Sequence, residues 1–161
     1  MRLRAPARAD VLRGLAIYAG GDMVAALLLG EFRWLRLAGM LLVGGGLYAW
    51  EIPAWFRWID ARVPPSRGAC LKRTGLAMLY FNPLWIARHL LFLKLFSGAF
   101  NQIGWGLLRT GLWSFLGNVP LSLAGNFVIQ NWLPLRHRFL GSALFSACMA
   151  IYYAASARWF H

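Results

Sequence analysis

TGLAMLYFNPLWIARHLLFLKLF, residues 74–96, runs for 23 residues with Arg88 and Lys94 as its only fixed charges. A helix needs about 20 mostly apolar residues to cross the hydrocarbon core of a bilayer, so this stretch predicts a membrane span. Four more stretches approach that length: Val11–Gly30, Leu37–Phe56, Gly106–Leu133 and Phe139–Ala157. Lipid offers no partner to an unpaired backbone N–H or C=O, which forces helix on each of them. The period-two alternation of barrel strands is absent. The expected fold is therefore all-α, an integral membrane bundle of four to five spans, with residues 1–161 as one domain. The fourth stretch carries Asn118, Pro120, Asn126, Gln130, Asn131 and Pro134. Such a polar load predicts either a full crossing or a kinked, half-inserted element surrounded by protein or water.

Composition points the same way. Apolar residues make up 60% of the chain, aromatic residues 16% and charged residues only 14%. A water-soluble domain this short has too much surface to cover with so few charges. The formal charge of +12 raises nucleic acid as a partner, but no nucleic-acid-binding motif accompanies it, and none is expected to bind. The cations sit at the ends of apolar runs, as the positive-inside rule requires. Arg2, Arg4, Arg8 and Arg13 precede the first span, and Arg57, Arg62, Arg67, Lys72 and Arg73 surround the second loop; Ser97–Gly104 has no charge. The basic start resembles the n-region of a signal sequence, but Asp22 interrupts the apolar run and no small-x-small cleavage site follows, so an uncleaved first span is expected. These signals place the N-terminus inside and the C-terminus outside, with Arg136 and Arg138 inside. Arg33 and Arg36, beside Glu31 in the first loop, dissent. Trp34, Trp50, Trp55, Trp58, Trp105, Trp132 and Trp159 lie near the ends of the runs, where amphipathic rings anchor a protein at the headgroups. Gly21 with Ala25, and Gly45 with Ala49, provide small residues at helical spacing for close helix contact.

Ionisable groups within spans are costly and mark either structure or function. Asp22 lies midway along the first span, Glu51 lies in the second, and Arg88 and His89 lie deep in the third. Pairing of Asp22 or Glu51 with Arg88 is expected, either as an ion pair that fixes helix register or as part of a polar path for ions or small solutes. Asn126 and Gln130 join these as candidate pore residues. His89 is the one deep group that titrates near neutrality and is the candidate pH sensor. Lys94, near a helix end, is expected to snorkel. Enzyme signatures are missing: Gly44-Gly45-Gly46 lacks the setting of a phosphate loop, and there is no GxSxG elbow. The separated His89, His137 and His161, with Cys70 and Cys148, have no metal-ligand spacing. No catalysis, cofactor or metal is expected.

Several segments resemble the Mpv–PMP family of small mitochondrial inner-membrane and peroxisomal proteins. Gly21-Asp22 is similar to the Gly-Asp of that family's first span. Trp55-Phe56-Arg57-Trp58-Ile59-Asp60 with Pro64 resembles its Trp-Tyr-x-x-Leu-Asp…Pro. Pro83 stands where a family proline is expected, Leu133-Pro134-Leu135-Arg136-His137-Arg138 is similar to its Val-Pro-Leu-Arg-Tyr-Arg, and Tyr152 matches a late aromatic. The family's Gln four residues after the Asp is Ala26 here, and its Trp-Pro is gone, with Asn118, Asn126 and Phe127 as remnants. The resemblance implies channel-like passage of small solutes. A second, local resemblance joins Asn126-Phe127…Asn131…Arg136…Arg138 to the span endings of GtrA-like proteins, which implies movement of lipid-linked sugars. The rival function is a structural or assembly protein whose buried charges only fix packing. Expected partners are the lipid bilayer and further copies of the chain, in a bacterial inner membrane or a mitochondrial or peroxisomal one.

Overall fold

The structure is a computed structural model that describes residues 5–159, apart from the side chains of residues 153 and 155–159. Arg2, Arg4 and His161 of the sequence reading, and the side chain of Trp159, lie outside the described residues. All regular structure among the described residues is helical. In chain order it comprises α1 (Arg8–Leu29), α2 (Trp34–Leu42), a π-helical stretch (Val43–Tyr48) and α3 (Ala49–Arg62). Then follow α4 (Ala69–Tyr80), α5 (Pro83–Phe96), a 3-10 turn (Phe100–Gln102), α6 (Gly106–Asn131) and α7 (Leu135–Trp159). The second, third and fourth rods run over Trp34–Arg62, Ala69–Phe96 and Gly106–Asn131, and with α1 they are the four helices among the described residues long and apolar enough to cross a membrane. The fifth rod is α7. This is an all-helical, multi-span architecture that places the chain against a lipid bilayer.

Two compact units make up the fold. The first takes in Met1–Ala54 with Phe139–His161, the second Trp55–Arg138. In the first unit, α1 buries a stripe made of Gly14, Tyr18, Gly21, Asp22 and Ala25, the i, i+4, i+7, i+8, i+11 pattern of one helix face. Two points on that stripe approach a neighbour backbone to backbone. A Cβ on Gly14 would strike the carbonyl of Gly44, and one on Gly21 would lie 2.6 Å from the Cβ of Ala147 in α7. Only glycine permits such contact. Tyr18 fills the space between them, its ring centroid 4.9 Å from Tyr48 and 6.4 Å from Phe139. The close approach falls on the π-helical turn, where the Ala49 N–H reaches back to the Gly44 carbonyl. A wide turn of this kind shifts the face that follows it. Of the small residues named from the sequence, Gly21 does pack closely and Gly45 would meet Leu15. Gly14 and Gly44 make the tightest crossing and were not singled out.

In the second unit, the third rod is broken at Phe81–Asn82 and the fourth runs unbroken. The break at Phe81–Asn82 is built by local chemistry. Asn82 Oδ1 accepts from the N–H groups of Leu84 (2.8 Å) and Trp85 (3.1 Å) as the N-cap of α5, and its Nδ2 donates to the Leu79 carbonyl at 2.9 Å. Pro83, at the first helical position, has no N–H to leave unpaired. By contrast α6 runs unbroken for 26 residues through Pro120. Its Gly111 lets it lie against the start of α5, where a Cβ would sit 2.6 Å from the Pro83 carbonyl oxygen.

Candidate functional site

Asp22 stands seven residues before the end of α1, about 10 Å along the axis at 1.5 Å per residue. A carboxylate at that depth needs a partner, and it has a bidentate one. Arg36 Nε lies 2.9 Å from Oδ2 and Nη2 2.6 Å from Oδ1, with both residues buried. The third guanidinium nitrogen, Nη1, reaches Glu31 at 3.5 Å. The connection that makes this possible is short. Gly30 adopts φ 71° and the Glu31 N–H caps the Ala26 carbonyl at 2.8 Å, a Schellman-type ending. The chain then re-enters helix at Trp34, so Arg36 is a helical residue that extends its side chain down along α1. The sequence offered Arg88 as a partner for Asp22 or Glu51; both oxygens of Asp22 are taken by Arg36. The dissenting loop charge of the sequence reading is the missing counter-ion, and its placement follows from the arginine side chain's length and planar fork.

A second charged cluster closes one end of the second unit. Asp60, at the end of α3, accepts from Arg138 Nη1 at 3.1 Å and stands 3.7 Å from Arg73 Nη2. Arg73 also donates to the Val63 carbonyl (2.9 Å) and Arg138 to the Leu133 carbonyl (3.1 Å). One carboxylate thereby ties together the ends of α3, α4 and α7. Two segments quoted for the Mpv–PMP resemblance, the one ending in Asp60 and the one ending in Arg138, meet here. Trp55 and Trp58 lie within this unit as well, stacked at 4.7 Å, with Trp55 Nε1 donating to the Leu76 carbonyl at 3.0 Å. These two tryptophans serve packing more than anchoring. Trp34, Trp105 and Trp132, and with them Trp113, are exposed.

The third polar group is the amide face of α6. Asn126 and Gln130 are one turn apart and both buried, at 3% and 0% exposure. Asn126 Nδ2 donates to the Ser122 carbonyl at 2.9 Å and lies 3.5 Å from Met78 Sδ, while its Oδ1 has no hydrogen-bond partner. Among the described residues, neither Oε1 nor Nε2 of Gln130 has one. Asn131, beside them, is tied to α4 through Thr74 Oγ1 (3.2 Å), and Thr74 itself donates to the Cys70 carbonyl at 2.8 Å. A buried amide without partners forfeits its hydrogen bonds with water, so sites of this kind ask for an explanation.

The remaining candidates are placed as follows. Glu51 is half-buried in the first turn of α3 and belongs to the first unit. Arg88 and His89 are half-buried on α5 in the second, where His89 stacks on Trp85 at 5.7 Å with the planes 1° apart. The structure brings Asn126 and Gln130 together on one helix face. Arg36 and Arg73 were seen in the sequence only as loop charges, Asp60 only within a family-like segment and Arg138 as both, and their pairing partners carry no local signal. Compared with family models, curated proteins and solved structures, the chain matches none.

Proposed function

We propose that this chain is a multi-span membrane protein that passes small polar solutes, with the Asn126–Gln130 face of α6 as the polar part of the path. The observation that carries this reading is Gln130, fully buried with neither amide atom hydrogen-bonded among the described residues. Left so, the amide costs about 1–3 kcal/mol, a loss that a solute or water bound there removes. An amide both donates and accepts, which suits a neutral hydroxylated or amide solute better than an ion. The resemblance to the Mpv–PMP family agrees with this reading, and neither catalysis nor a cofactor is needed for it. Reconstitution into liposomes and stopped-flow measurement of glycerol and urea entry tests it. Entry well above that of protein-free vesicles is expected, with little for a disaccharide; permeability equal to that of protein-free vesicles contradicts it.

A structural or assembly role is the second reading, and the closed Asp22–Arg36 pair favours it. Both carboxylate oxygens of Asp22 are occupied, so this site is built to hold two helices in register rather than to receive a solute. The two readings assign the two polar sites to different tasks, and a chain of this kind can carry both.

A further inference from the structure

The second unit holds Asp60 as its one carboxylate, against ten lysines and arginines between residues 55 and 138. Seven of those ten fall in the last two turns of α3 (Arg57, Arg62), the connection after it (Arg67), the first two turns of α4 (Lys72, Arg73) or the first turn of α7 (Arg136, Arg138). These ends are gathered in space. Asp60 joins α3 to Arg73 of α4 and Arg138 of α7, and Asn131 Nδ2 at the end of α6 lies 3.4 Å from the Cys70 carbonyl of α4. Subtracting the one carboxylate from seven cations leaves +6 at this end. Arg57, Arg62, Arg67 and Lys72 are exposed and, among the described residues, make no ion pair; Arg62 lies over the Trp58 ring at 5.4 Å.

Apolar surface is interleaved with the charge. Leu71, next to Lys72, and Trp132, at the turn before Arg136, are each 72% exposed. A surface meant for water alone has no use for large apolar side chains there, whereas a phospholipid at the headgroup boundary offers acyl chain and phosphate side by side. The rods Ala69–Phe96 and Gly106–Asn131 have few fully buried residues, and Leu71, Leu79, Leu112, Leu116 and Leu123 are exposed along them. Lipid acyl chains have a face to lie along directly next to the basic end.

We infer that this end of the second unit is a docking site for the phosphate headgroup of an anionic phospholipid. Arg57, Arg67 and Lys72 supply the attraction, and the Asp60 clasp fixes the helix ends that carry them. Arg73 and Arg138 are engaged by Asp60 and serve as the frame.

Native mass spectrometry of the purified protein in neutral detergent, with phosphatidylglycerol and phosphatidylcholine supplied in equal amounts, tests this without reference to transport. A roughly tenfold excess of retained phosphatidylglycerol is expected from a few cations near a phosphate. The combined variant Arg57→Gln, Arg67→Gln, Lys72→Gln should bring the ratio to near parity, while Lys94→Gln with Arg109→Gln, elsewhere in the unit, should leave it unchanged. Three results overturn the inference: no preference in the parent protein, equal losses in both variants, or displacement of the lipid by millimolar glycerol phosphate. The last makes this a site for free phosphate compounds. Should the triple variant not be recovered folded, Lys72→Gln alone must lower the ratio, and an unchanged ratio overturns the inference equally.

Discussion

Polar groups are handled in opposite ways by the two units. In the first, Asp22 is matched atom for atom by Arg36, and α1 lies so close to its neighbours that Gly14 and Gly21 have no room for a Cβ. In the second, α6 packs tightly on α5 only near its start, at Gly111; further along it carries buried amides with atoms left over, and Gly117 has nothing within 4 Å of its Cβ position. The most apolar stretch of α1 is 39% buried, that of α6 only 11%. A closed ion pair and backbone-to-backbone contact specify a structure. Unmatched amides on a loosely covered helix cost stability, and proteins retain such costs where something binds or passes. On the proposed function, this contrast gives scaffolding to the first unit and the solute path to the second.

The largest effect should come from separating the ion pair. Arg36→Leu leaves Asp22 buried without its partner, and removing one member of a buried pair costs about 3–5 kcal/mol. Thermal melting in detergent should fall steeply, and the double change Asp22→Leu with Arg36→Leu should recover most of the loss. If the single variant melts like the parent, the first unit is not built on this pair. Next in size is the glycine crossing. Gly14→Ala drives a Cβ into the Gly44 backbone, and overpacking of this kind costs about 1–3 kcal/mol. Gly117→Ala, on an open face of α6, should be neutral or gain up to about 1 kcal/mol from helix propensity. Equal effects at the two positions would erase the contrast between the units. Smaller again is Asp60→Asn. Asp60 is partly exposed, and pairs screened by solvent contribute about 0–1 kcal/mol; its loss should show as faster proteolysis in the Val63–Gly68 loop more than as a lower melting point.

How much of this could be read from the sequence depends on the distance over which each cause acts. Spans are continuous local properties, so the apolar runs located all five rods to within a few residues. The depth of Asp22 followed from its position in the first run. Its partner did not, because Arg36 was counted as a loop charge although the helix resumes at Trp34. A long side chain makes a residue's place in sequence a poor guide to where its charge ends up. The break in the third rod was not foreseen for a related reason, and the unbroken run of α6 is one of the two outcomes its polar residues left open. Counting polar residues marked α6, yet what ends a helix is a cap together with a proline, and Asn82-Pro83 supplies both in the third rod. The Gly14–Gly44 approach depends on where a π-helical turn places three glycines, and no short-range pattern specifies that.

Division of labour between the units is tested most directly by Gln130→Leu, measured for glycerol entry into liposomes and for melting in detergent on the same preparation. Leucine is close to glutamine in volume and removes two unpartnered polar atoms, so the melting temperature should stay or rise, by up to the equivalent of about 1–3 kcal/mol. Solute entry should fall about tenfold or more, the size expected when a site loses hydrogen bonds to its ligand. Unchanged entry, or a variant that melts well below the parent, would contradict the assignment of α6 to traffic and make its amides part of the scaffold.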